Sequence, residues 1–171
     1  ASGWWECVVV NKGSKDGVRV NMGVISQDGV VGKTRSVSDH TAEVLLITDR
    51  SCSIPAKLAR SGEEGIVSGG GVAMSGNAVV DMGIPGKPCA MDNIRAGAIV
   101  RAGDKVVTSR LSSFFPDGVE IGTVVSVGMD RKGLHQVAGL KPSADLGSLR
   151  YVFVVRDFSR SGVAEAYRDA R

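Results

Sequence analysis

The stretch from Gly103 to Val127, GDKVVTSRLSSFFPDGVEIGTVVSV, most narrows what this chain can fold into. Lys105 to Ser109 and Thr123 to Val127 are rich in β-branched residues, whose two heavy atoms on Cβ suit a pleated, half-buried surface. Between them Pro116-Asp117-Gly118 supplies a preset φ followed by a residue that tolerates φ > 0. The stretch therefore predicts strand, loop, strand. It contains no His, no Cys and no adjacent pair of acids, so whatever it contributes is not obvious chemistry.

The other segments repeat this grammar. Trp4 to Val10 reads as a strand, and Val18, Val20 and Met22 alternate before continuing into Val24-Ile25. Asp28-Gly29 between Val24-Ile25 and Val30-Val31 is a hairpin signal. Val31 to Val37, Ala42 to Thr48 and Ile54 to Arg60 follow as strands, with Pro55 pointing to an edge or a strand start. Ser68-Gly69-Gly70-Gly71 is the sharpest shift in composition and suits a crossing between units or a tight corner. Val79 to Met82, Gln136 to Leu140 and Tyr151 to Val155 complete the strand set. The near-continuous apolar character of the last suggests cover on both faces, and it could close either unit. Val163, Ala166, Tyr167 and Ala170 have helical spacing, enough for a short amphipathic helix or a frayed tail.

These elements predict an all-β fold of two small antiparallel β-barrels packed together. The first spans 1–67, with the strand 151–155 as a candidate to complete it; the second spans 68–150, and 156–171 forms a tail or short helix. Each unit would be marginal alone and would gain from a shared interface. The 23 glycines, about twice the usual share of ~7%, fit many short strands and turns. A faint repeat supports two related units: Gly17, Val20 and Gly23 match Gly97, Val100 and Gly103, and Gly32, Ser36 and Val37 match Gly122, Ser126 and Val127. The spacing grows by about ten residues between the two sets, placing an insertion around Arg110 to Phe115.

Function classes fall away in turn. A net charge of +3 from interspersed residues is no nucleic-acid footprint. Apolar runs such as Val44 to Ile47 are far shorter than the ~20 residues a membrane helix needs, so the chain as given is expected to be soluble. It starts at Ala1 without a Met or a signal-like segment, as a fragment of something longer would. Cys7, Cys52 and Cys89 have no CxxC spacing, which leaves any disulfide pairing open, and no His or acid stands at ligand spacing to make a metal site. Gly69-Gly70-Gly71 lacks the Lys-Ser/Thr of a phosphate loop. No cofactor is implied. His40, Asp49 and Ser109 occur in the order used by two-barrel serine hydrolases, but Ser109 lacks the glycine setting that shapes an oxyanion hole. A generic β adaptor of a surface assembly remains the other alternative.

Six pieces in order carry a family resemblance: Val8 to Val18 (VVVNKGSKDGV), Met22 to Lys33 (MGVISQDGVVGK), Val44 to Asp49 (VLLITD), Arg60 to Gly69 (RSGEEGIVSG), Gly103 to Ser109 with Phe115 to Val127, and Leu140 to Leu146 followed by Tyr151 to Val155. Together they resemble the extracytoplasmic β region of the MreC family of bacterial rod shape-determining proteins, over nearly the whole chain to about Val155. One departure is Arg110, where the family usually has Gly after VVTS.

The resemblance implies two β-barrels, no enzymatic activity, and a scaffold role in the cell-wall elongation machinery. It implies a periplasmic or extracytoplasmic location, behind a membrane helix and coiled coil that this chain does not include. The partners it implies are a class B penicillin-binding protein, other membrane proteins of the elongation complex, and further copies of itself. Phe114, Phe115 and Arg110 are the candidate partner-binding residues. Phe115 matches the Phe-Pro of the family and is expected to plug a barrel end, which leaves Phe114 the freer of the two.

Overall fold

The computed structural model describes residues 7–70, 89–130 and 132–156. Its strands are β1 (Cys7–Val10), β2 (Gly23–Ser26), β3 (Gly29–Val37), β4 (Ala42–Leu46), β5 (Ser53–Leu58), β6 (Glu64–Gly69), β7 (Cys89–Arg95), β8 (Lys105–Thr108), β9 (Glu120–Met129), β10 (His135–Pro142) and β11 (Phe153–Val154). A single 3-10 turn, Ser14–Asp16, is the only helical element among the described residues. No helix there is long and apolar enough to cross a membrane. The expected strand at 79–82 and the helix or tail at 156–171 fall almost wholly outside the described residues.

The described residues are all-β, as the pattern predicts, but their two sheets close differently. One is a closed six-stranded barrel in the order β10-β7-β6-β5-β8-β9. The other is a five-stranded sheet, β1-β4-β3-β2-β11, that ends in open edges among the described residues. Every described pairing is antiparallel.

The division between sheets falls between β4 and β5, whereas the composition shift at Ser68 to Gly71 had put residues 1–67 in the first unit. β5 and β6 pair with each other and then with β8 and β7, so they are barrel strands. Gly69 ends β6 where the backbone passes Thr48 and Asp49 so closely that a Cβ would lie 2.1 Å from the Thr48 carbonyl carbon. Its glycine serves close packing, a need that composition reads as a linker. Pro55 lies inside β5 without breaking the ladder. Its carbonyl accepts from the Ser109 N–H, so its missing N–H faces the chain just beyond the end of β8, where only the return bond of that last pair is forgone.

Phe153 and Val154 join the open sheet, pairing with Ile25 and Val24. They are not covered on both faces. Val152 and Val154 are half-buried, whereas Tyr151 and Phe153 are exposed. Val18, Val20 and Met22 form no strand. Val18 and Met22 are nevertheless buried, with Ala42, in a small cluster under this sheet.

The faint repeat turns out to be a repeat of hydrogen-bond register. β2-β3-β4 and β8-β9-β10 are both three-stranded meanders. In the first, Gly32 faces Val24 and the ladder skips Val31 to resume at Ile25 and Val30; in the second, Gly122 faces Val106 and the ladder skips Ile121 to resume at Val107 and Glu120. Each is a bulge in the long middle strand, which bends and twists it. The same two glycines press on the third strand. A Cβ would lie 1.8 Å from the Leu45 oxygen at Gly32 and 2.5 Å from the Lys141 oxygen at Gly122, and these carbonyls belong to the residues just before the glycines' own partners, Leu46 and Pro142. The meanders differ in one turn: two residues, Gln27 and Asp28, join β2 to β3, where 109–119 join β8 to β9.

The principal core runs through the barrel, with Ile54, Leu58, Met91, Ile94, Val106, Phe115, Ile121 and Leu140, and extends to Val30, Leu45 and Ile47 of the first unit. A second core of Val24, Val31, Val44 and Leu46 lies under the open sheet, covered by Ala144, Leu149, Val152 and Val154. All three cysteines are free thiols. Burial pushes Cys52 up to about 11 and Cys89 up to about 12. Cys7 is only partly buried, and its Sγ donates to Glu43 Oε1 at 2.9 Å.

Two outcomes follow. A thiol-reactive dye will label neither Cys52 nor Cys89 until the protein unfolds globally, because both lie in the principal core; labelling under native conditions would place a local opening there. The folded thiols also stay protonated above the ordinary 9.0 at which unfolded thiols ionise. Their contribution to stability is therefore whole below pH 9 and falls as pH rises towards 11 to 12, so alkaline unfolding of a Cys52→Ala, Cys89→Ala variant will be less steep above pH 9 than that of the wild type.

Candidate interaction surface

The β8–β9 loop is built by hydroxyl side chains that stand in for backbone partners. Thr108 Oγ1 donates to the Pro116 carbonyl at 2.5 Å and accepts from the Val119 N–H at 2.9 Å. Ser109 Oγ accepts from the Leu111 N–H at 3.1 Å, and Ser112 Oγ accepts from the N–H groups of Phe114 and Phe115, both at 3.2 Å. All three hydroxyl residues are buried. Lys57 Nζ bridges the Asp117 carboxylate at 2.8 Å and ties the far side of the loop to β5. The run TSRLSSFFPDG thus encodes a loop that is long but internally satisfied.

This framework drives the Phe115 ring inward. Phe115 is fully buried in the principal core, as the plug reading expects, and it reaches beyond the barrel. A Cβ on Gly23, the first residue of β2, would lie 2.7 Å from the Phe115 ring and 2.3 Å from the Phe114 carbonyl. The bare Gly23 backbone is what lets the loop seat against the open sheet.

The other two candidates lie on the outside. Arg110 is exposed, and its φ is not positive despite the family's usual glycine there. Phe114 is half-buried, with Lys33 Nζ 5.1 Å from its ring centroid, a cation–π contact between loop and open sheet. The loop thus leaves Arg110 exposed and Phe114 half-buried, and it takes Phe115 out of the surface altogether. Leu111, which sequence reasoning passed over, is 70% exposed between them. Val125, Val127 and Met129 also stand out on β9, joined by Leu134 of the following turn. Their i, i+2, i+4 spacing marks a single strand face, but a run of valines reads first as core.

The residues of the hydrolase alternative do not make a nucleophilic site. Ser109 has no exposure, and its hydroxyl is occupied by the Leu111 N–H. Asp49 Oδ1 accepts from the Ser51 N–H at 2.7 Å in the turn after β4, and His40 is exposed in the β3–β4 turn. Among the described residues no group of three or more His, Cys, Asp or Glu could hold a metal ion.

Comparison with known proteins agrees with this architecture. The family model for "Rod shape-determining protein MreC, barrel core" matches residues 1–156. The cell shape-determining protein MreC of Haemophilus influenzae is 34% identical over 148 residues, which cover 86% of this chain and 38% of that protein, so the chain spans well under half of that relative. The crystal structure of MreC from Pseudomonas aeruginosa superposes with a TM-score of 0.73 at 31% identity, covering 88% of each chain. A complex between penicillin-binding protein PBP2 and MreC from Helicobacter pylori shares the fold, with a TM-score of 0.61 at 22% identity over 80% of this chain and 79% of that one. With a family match across all its described strands, this chain belongs to the MreC family of rod shape-determining proteins.

Proposed function

We propose that this chain is the extracytoplasmic β region of a noncatalytic scaffold in the cell-wall elongation machinery, one that binds and positions or activates a class B penicillin-binding protein. The observation that carries this reading is the match to the MreC barrel core over residues 1–156, taken with the Helicobacter pylori relative that is solved in complex with PBP2. In the whole protein this region lies on the periplasmic or extracytoplasmic side of the inner membrane, held there by a membrane helix outside this chain. Contacts with other elongation-complex proteins and with further copies belong to the same reading.

The physical task of such a scaffold is to prefer one conformation of its partner over another, and a differential affinity of a few kcal/mol suffices. That requires a surface which does not itself yield. The β8–β9 loop meets the requirement: its backbone is held by buried hydroxyls, its base by Phe115, and its flank by Lys57 and Asp117. We place the partner surface on its outer side, at Arg110, Leu111 and Phe114. Phe115 supports that surface from below.

Immobilised chain will bind the soluble extracytoplasmic region of the class B penicillin-binding protein from the same organism in biolayer interferometry. The pair Arg110→Glu, Leu111→Asp will weaken binding about tenfold or more, as loss of a central contact does, with the melting temperature unchanged. Unaltered binding by that pair would move the partner surface off the loop, and no binding by the wild type would sink the scaffold reading. Phe115→Ala, by contrast, will cost about 3–5 kcal/mol of stability in urea unfolding, the usual range for deleting a buried Phe. A cost under ~1 kcal/mol would show that the ring does not brace the two sheets.

A further inference from the structure

β11 is the terminal strand of the open sheet, and among the described residues no strand pairs its outer edge. Which backbone groups face outward follows from the register. The Val155 N–H donates to the Gly23 carbonyl at 2.8 Å, and Phe153 and Val154 face Ile25 and Val24. In an antiparallel ladder hydrogen-bonded and non-hydrogen-bonded pairs alternate. Residues 153 and 155 therefore turn their N–H and C=O groups towards β2, and Val152 and Val154 turn theirs to the open side.

Two grooves adjoin β11, and Phe153 lines both. The first, of about 410 Å³, lies between the β2–β3 turn and residues 145–153, lined by Gln27, Asp28, Leu149, Arg150 and Tyr151 among others. Tyr151 and Phe153 are 83% and 61% exposed there, in contrast to Phe114 and Phe115. The second, of about 660 Å³, is lined by Val152, Val154, Lys12, Lys15 and Arg156, with Asp16 as its only carboxylate. The lysines are engaged only loosely, Lys12 with Asp16 at 3.8 Å and Lys15 with Asp39 at 3.5 Å, and Arg156 Nη1 donates to the Asp16 carbonyl at 3.1 Å. Exposed pairs of this kind are worth little and exchange readily for a better partner. The second groove therefore keeps a cationic surplus.

We propose that the outer edge of β11 is a strand-addition site for an extended peptide segment of a partner protein, one with an apolar side chain for the Tyr151–Phe153 groove and a carboxylate for the Lys12–Lys15–Arg156 groove. An unpaired edge supplies main-chain hydrogen bonds, which give affinity, and pockets at alternate positions give specificity. β11 has both. Two features keep the edge from pairing indiscriminately: its paired length is two residues, and arginines stand at 150 and 156. An acidic strand meets those arginines favourably, and a basic one is repelled. The site lies on a different element from the β8–β9 loop, and it goes beyond the scaffold reading, so either can fail alone.

The test uses the isotopically labelled chain and three synthetic ten-residue peptides of alternating Thr and Val: one ending in two glutamates, one ending in two lysines, and the glutamate peptide N-methylated at alternate amides. In NMR titrations the glutamate peptide will shift amide resonances of residues 151–156 and slow hydrogen exchange at the Val152 and Val154 N–H groups. The lysine and N-methylated peptides will bind at least tenfold more weakly. Arg156→Glu will weaken the glutamate peptide about tenfold with the rest of the spectrum unchanged. Equal binding of the glutamate and lysine peptides, shifts centred away from 151–156, or full affinity in Arg156→Glu would each overturn the proposal. So would the absence of any shift with the glutamate peptide.

Discussion

The structure depends on one close approach, the seating of the β8–β9 loop on the bare backbone of Gly23. A β-barrel satisfies its own backbone by closing, and a five-stranded open sheet does not, so the open sheet needs another body to lie against. Phe115 provides the bridge. Its ring occupies the barrel core and abuts the first residue of β2, at a distance that leaves no room for a Cβ. Val30, Leu45 and Ile47 complete the same apolar body from the other side. The barrel's core thus continues into one face of the open sheet, and Val24, Val31, Val44 and Leu46 form a separate core on the other.

The fold is also a variation on a repeated theme. The bulges at Val31-Gly32 and Ile121-Gly122 place the same glycine against the same two neighbours in both meanders. Strand bending is thus encoded twice, by position. The two meanders part in the turn: where the first uses two residues, the second uses eleven, 109–119, and within them lie both the internal brace and the exposed Arg110 and Leu111.

Much of this was legible in the residues, for stated reasons. β-branched runs and the Asp28-Gly29 turn announced antiparallel strands, and Gly32 and Gly122 announced a repeat, because local sterics act over a few residues. The open sheet, the true division between sheets and the exposure of β11 were not legible, since they depend on contacts distant in sequence. Gly69 looks like a flexible corner in composition and is a packing residue against Thr48. Tyr151 to Val155 looks buried on both faces because apolar residues alternate only with other apolar residues, and only the pairing with β2 shows which of them faces out. Among the candidate site residues, Phe115 was legible as a plug from its Phe-Pro context. Leu111 was not, because nothing in a single exposed leucine separates it from a core one before the loop is traced.

The pairing of β11 with β2 carries a consequence for the order in which the molecule can be made. Arg156 meets the carbonyl of Asp16 across 140 residues of chain, and the fifth strand of the first sheet is the last strand described. A chain that emerges from its N-terminus can fold early segments as they appear, yet here the first sheet remains one strand short until all six barrel strands have been synthesised. The barrel, built from strands contiguous between 53 and 142, can close before that moment. Of the two sheets, the one begun first is thus finished last, and a truncation between β10 and β11 would spare the barrel strands while leaving the open sheet without its final strand.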